Sequence, residues 1–198
     1  FTMDLNVLYE LCSSRGVLLS IDGIQGLGAR RLNLADTPLD FFAAGVQKWQ
    51  MGMHGLAIAY FSEKVQSMIR QPSMGWANVK DNFDFTTYEK ELQDTAGRYE
   101  NGTPNTTGIY AYNGALTLFR EIGIDRVMEI VRANSDHLYT KVLEHGFDVL
   151  TPESSDERAG IVTFRVENAE AVQRRLLEKQ VIVSARVGHI RVAPHFYN

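Results

Sequence analysis

Gly16-Val-Leu-Leu-Ser-Ile-Asp22-Gly-Ile-Gln25 and Asp40-Phe-Phe-Ala-Ala-Gly-Val-Gln-Lys48-Trp49 are two apolar runs that each lead into polar groups. Continuous apolar runs are the signature of strands buried on both faces, as in a parallel sheet. Ligands of such sheets gather at the carboxyl ends of the strands. Asp22 closes the first run and Lys48 follows the second, so the pattern offers an acid and an amine at one sheet edge. A lysine held there can form a Schiff base with a carbonyl group, and an acid can pair with a ring nitrogen. The plainer readings are a solvated surface lysine and an aspartate that caps the following turn.

The rest of the composition narrows the function. The net charge of −4 recommends neither a nucleic acid nor an anionic membrane as a partner. The longest apolar runs, such as Leu56-Ala-Ile-Ala-Tyr-Phe61, are too short to cross a bilayer. Cys12 is the single cysteine, so no intrachain disulfide can form, and its neighbours give it the spacing of a half-buried helix residue. Histidines at 54, 137, 145, 189 and 195 are scattered and form no metal-binding motif. The chain opens without signal-peptide character, which fits a cytoplasmic location.

Read in order, the chain alternates. The pattern predicts a helix over 2–13, strands over 17–21, 39–44 and 56–61, and a turn or helix start at Gln25-Gly-Leu-Gly28. A short helix follows Ser62-Glu63. Residues 70–103 are aromatic without periodicity and read as a long ordered loop, which is usually functional or interfacial. Pro104 is placed to start a helix that Gly123 ends, and a second helix covers 125–144 before Gly146. Strands over 147–150, 160–166, 181–187 and 189–193 surround a helix at 168–179. The fold expected is α/β over 1–112 and a small α+β unit over 113–198. Three strands are too few to complete an α/β core, so the chain reads as a fragment.

Four motifs add a resemblance. They are Asp22-Gly-Ile-Gln25-Gly-Leu-Gly28, Lys48-Trp49 with Gly52 and Gly55, Tyr99-Glu-Asn-Gly-Thr103-Pro-Asn105, and Ile190-Arg191-Val-Ala-Pro-His-Phe-Tyr-Asn198. In this order and spacing they resemble the C-terminal half of class V aminotransferases. These are fold-type-I enzymes that use pyridoxal 5'-phosphate and include cysteine desulfurases and isopenicillin-N-epimerase-like proteins. The resemblance implies a three-layer α/β/α large domain followed by a small C-terminal domain. It implies that Lys48 carries the cofactor as a Schiff base and moves the substrate's Cα proton. Asp22 would face the pyridine nitrogen and Gln25 the phenolic oxygen. Arg191 would bind the α-carboxylate of an amino-acid substrate, or an amine would be the substrate, with Arg186 a weaker candidate for the same pocket. Thr103 would reach the cofactor phosphate of the neighbouring subunit in a homodimer. Its alternative role is to cap the helix at Pro104, and the two are compatible because helix starts also suit phosphate.

The departures carry information as well. The family often has His before the lysine, where this chain has Gln47, and proline where it has Met53. Cysteine desulfurases place a catalytic cysteine ahead of the final arginine, but Val183-Ser-Ala-Arg-Val-Gly-His189 has none. The ending is closer to the epimerase-like branch. Transamination, racemisation and β-elimination all remain open, as does a non-catalytic role as a dimerising module.

Overall fold

The computed structural model describes residues 1–71 and 73–198. Helix α1 (Leu5–Ser13) starts where Asp4 accepts the N–H groups of Asn6 and Val7, so the expected helix is trimmed by its own cap. Strands β1 (Ser20–Asp22), β2 (Phe41–Gly45) and β3 (Ala57–Phe61) form a sheet in that order. β1 and β2 are parallel, with Asp22 opposite Ala43. β3 is antiparallel to β2, which departs from a wholly parallel sheet. The connection between β2 and β3 holds no crossover helix, and a parallel return needs one.

Alternation along β2 sets the two faces. Phe42 and Ala44 are buried with Leu39, against Leu5, Ile21, Ile58 and Tyr60. Phe41 points the other way and meets Phe61 edge-on, at 4.9 Å between ring centres. Phe61 in turn stacks on Tyr99 at 4.4 Å, so the long loop closes over this face.

After β3 comes the short helix α2 (Glu63–Met68), capped by the Ser62 hydroxyl. The loop that follows is ordered around Asn78, whose side chain is fully buried. Its oxygen accepts the Gly75 N–H at 3.0 Å, and its nitrogen donates to Asn101 Oδ1 at 2.6 Å and to the Arg98 carbonyl at 3.3 Å. A 3-10 turn, Ala96–Tyr99, sits inside it.

Helices α3 (Thr106–Ile122) and α4 (Ile124–Glu144) meet at Gly123, whose φ of 85° lets the chain turn sharply. α4 buries Val127, Val131, Ser135, Tyr139 and Val142, a stripe at helical spacing. Strand β4 (Val162–Arg165), helix α5 (Ala169–Glu178), and strands β5 (Ser184–Arg186) and β6 (His189–Val192) complete the chain. The second sheet has the order β4-β6-β5 and is antiparallel throughout.

Several expected strands shrink: 17–21 is reduced to Ser20–Asp22 and 160–166 to Val162–Arg165. Residues 147–150 make one bridge, Val149 to Phe164. The ladder stops there because the Thr151 hydroxyl, not a backbone carbonyl, takes the Thr163 N–H at 2.8 Å. Residues 181–183 lie outside β5 because the Val181 N–H is spent on the Leu176 carbonyl at the end of α5. Among the described residues no helix is long and apolar enough to cross a membrane.

Candidate active site

Asp22 and Lys48 meet the same edge of the first sheet. Asp22 is the last residue of β1, and Lys48 lies three residues beyond the end of the parallel strand β2. Asp22 Oδ1 accepts the Ile24 N–H at 3.0 Å, so the aspartate also caps the following turn. The other carboxylate oxygen makes no hydrogen bond among the described residues. Gly23 donates to the Ala43 carbonyl at 2.7 Å. A Cβ on Gly23 would sit 2.0 Å from the Phe42 ring, so only glycine lets β1 turn this close to β2. The Gly23–Gly28 segment forms consecutive turns rather than a helix, with Gly26 and Leu27 both donating to the Gly23 carbonyl.

The chain does not bury the lysine. Lys48 is exposed, and its amine has no ion pair or hydrogen bond among the described residues. What is fixed is its backbone. The Lys48 carbonyl accepts the Met51 N–H at 3.0 Å, and the Val46 carbonyl accepts the Gly52 N–H at 2.8 Å. The Trp49 carbonyl accepts from His195 Nε2 at 3.0 Å. The Trp49 ring is buried with Ala29, Phe119, Val127 and Val131. Gly28, at a φ of +98°, passes so near that a Cβ there would lie 2.5 Å from the Trp49 oxygen.

His195 is a residue that the sequence reading missed. It is 4% exposed and lies between Trp49 and Tyr197, with ring centres at 5.1 and 4.7 Å. Its Nε2 must carry the hydrogen to meet a carbonyl, while Nδ1 accepts the Phe196 N–H at 2.8 Å. The ring is therefore held neutral. Burial lowers its proton affinity, and the bond to Trp49 partly opposes this. The signal was its place in the same motif as Arg191, four residues on.

Arg191 reaches the first sheet from the second. Its Nη2 donates to Gln25 Oε1 at 3.1 Å, a contact across 166 positions. Burial, and then the nearby Arg186 charge, lower its pKa. Thr103 is exposed, and it does not cap α3, because Asn105 does so by accepting the Gly108 N–H at 3.0 Å. A cavity of about 760 Å³ has Asp22, Gly23, Gln25 and Arg30 in its wall, but not Lys48 or Arg191. A second cavity, of about 710 Å³ between α4, β4 and α5, holds none of the candidate residues. β5 and β6 are joined by Val187 and Gly188 alone, and Cys12 sits on α1, so no thiol approaches Arg191 from this hairpin.

An acid with a free oxygen, an amide bonded to an arginine, and an unpaired amine, each at or beyond the carboxyl end of the parallel strands β1 and β2, fit a pyridoxal phosphate by their donor chemistry. This sheet and these strand ends have the character of fold-type-I pyridoxal-phosphate enzymes. The chain belongs to the family described as aminotransferase class-V, whose family model matches residues 2–197. It is 28% identical over 198 residues to the uncharacterized aminotransferase YcbU of Bacillus subtilis, covering 100% of this chain and 52% of that protein. The apo cysteine desulfurase of Thermococcus onnurineus superposes with a TM-score of 0.88 at 20% identity, over 98% of this chain and 52% of that one. C-DES, with a TM-score of 0.87 at 20% identity and the same coverage, has a structure with glycine covalently linked to its PLP cofactor. The chain thus spans about half the length of the relatives it matches. Pyridoxal phosphate is the cofactor of this family, as the motifs implied.

Proposed function

We propose that this chain supplies the lysine half of a pyridoxal-phosphate enzyme that acts on an amino acid or amine. The carrying observation is the Arg191–Gln25 bond, which brings the last motif onto the first beside the lysine turn. When bound, the cofactor supplies an electron sink for the substrate's Cα bonds. Lys48 offers a free amine that holds the cofactor and then moves the Cα proton. Asp22 has an oxygen left over from its turn to keep a ring nitrogen protonated. Gln25 orients Arg191 and would face the cofactor's phenolic oxygen. Arg191 holds the substrate carboxylate through its remaining N–H groups.

The class of reaction is transamination, racemisation or elimination. The two-residue β5–β6 turn without a thiol favours these over desulfuration. Exposed Thr103, relieved of helix capping by Asn105, is available to a neighbouring subunit's phosphate in a homodimer. A second reading, a dimerising module without catalysis, draws on the chain's spanning half of its relatives.

Borohydride reduction of the whole protein loaded with pyridoxal phosphate, followed by peptide mass spectrometry, tests this. A pyridoxyl adduct on Lys48, absent from Lys48→Ala, is the expected result. An adduct on another lysine, or none, would overturn the assignment.

A further inference from the structure

The second sheet turns one face to α5 and the other toward Gln25. Ile190, opposite Ala185, lies on the α5 face in a cluster with Ala169 and Val183. On the other face Arg191 is flanked by Thr163 and Ser184, and His189 by Arg165 and Arg186. Arg186 and Arg191 are therefore diagonal neighbours on adjacent strands, a spacing on the order of 7–8 Å between backbones.

Three arginines share this face, yet only Arg165 meets a carboxylate, Asp148 at 3.7 Å. Arg186 and Arg191 have no acidic partner among the described residues. Arg191 takes only the neutral oxygen of Gln25. His189 spends Nδ1 on the Val187 carbonyl at 2.8 Å and adds no negative charge. Two like charges held near each other repel, and an anion spanning them would relieve that repulsion. The backbone of the pair is fixed: Arg186 sits in a strand ladder that a two-residue turn closes, not on a loop.

We propose that Arg186 is a second anion-binding residue of this site and that the substrate is an amino acid with an acidic side chain. The proposal rests on the reading above, in which Arg191 holds the α-carboxylate. Arg186 then pairs with the distal acid group.

Calorimetric titration of the whole, cofactor-loaded protein with glutarate and with butyrate, at one ionic strength, tests it. Glutarate is expected to bind at least about tenfold more tightly than butyrate, a difference of about 1.4 kcal/mol. Arg186→Gln should remove that difference, Arg186→Lys should keep part of it, and Arg191→Gln should weaken both ligands. Because Arg186 is exposed, its substitution leaves the core intact. Equal affinity for the two ligands, or an unchanged preference in Arg186→Gln, overturns the proposal while the Lys48 adduct still forms. Loss of cofactor affinity in Arg186→Gln, read by absorbance titration, overturns it too, since the second anion would then be the cofactor phosphate. Absence of the Lys48 adduct removes the underlying reading as well.

Discussion

His195 ties the two motifs of the site together at the level of one side chain. Its Nε2–H holds the carbonyl next to Lys48, and its own carbonyl accepts from Asn134 at 2.9 Å. Removing the donor leaves a buried carbonyl unpaired, a cost of about 1–3 kcal/mol. His195→Phe should therefore lower the unfolding free energy by that amount, seen as a lower urea midpoint, while His195→Gln, which keeps an N–H at similar reach, should recover much of it. The pH dependence has a definite sign. An unfolded histidine takes up a proton near pH 6.5, but folded His195 does so only at lower pH, because burial opposes the charge. Its contribution to stability is complete above about pH 6.5 and declines as the pH falls toward the folded value. Melting temperatures measured over that acid range should drop less in His195→Gln than in the parent. None of this was visible in the motif, because a histidine reads the same whether it is solvated or hydrogen-bonded to a carbonyl 146 positions away.

Among the elements, the β5–β6 hairpin carries backbone strain. Val187 and Gly188 have φ of 46° and 73°, both in the left-handed region that two-residue turns of this kind demand. Valine pays about 1–2 kcal/mol there, since its Cβ crowds the next carbonyl. It is 94% exposed, so no packing compensates. Val187→Asn creates an Asn-Gly turn and should raise stability by about 1 kcal/mol, seen as a higher urea midpoint with an unchanged slope. The same element shows what was legible. Helix α4 matches its expected span almost to the residue, because its apolar period and the glycines near its ends are local signals. The shortened strands were not legible, because Thr151 and Val181 divert N–H groups through contacts that local sequence does not display.

At the scale of the molecule, Trp49 is the hinge pin between the two sheets' surroundings. Its ring packs against Val131 on α4, and it reaches Gly160, just before β4. A Cβ on Gly160 would approach that ring to 2.3 Å and Val131 to 2.7 Å. Gly160→Ala should thus destabilise the protein by about 1–3 kcal/mol through overpacking, measured by denaturant unfolding. It should also loosen the lysine turn, so its stability loss and a lowered yield of Lys48 adduct should appear together.

By itself the amino-acid order determined the alternation of strands and helices, the order of the motifs, and which acid, amide, amine and arginine are candidates for the site. Those depend on local periodicity, on turn chemistry and on which side chains can do the chemistry at all. Only the tertiary structure decided that β3 runs antiparallel, that Asn105 rather than Thr103 caps α3, that Lys48 is exposed, and that His195 and Arg191 return to the first sheet. Such pairings are made between groups far apart in the chain, and their partners are chosen by packing of the whole rather than by any neighbouring residue.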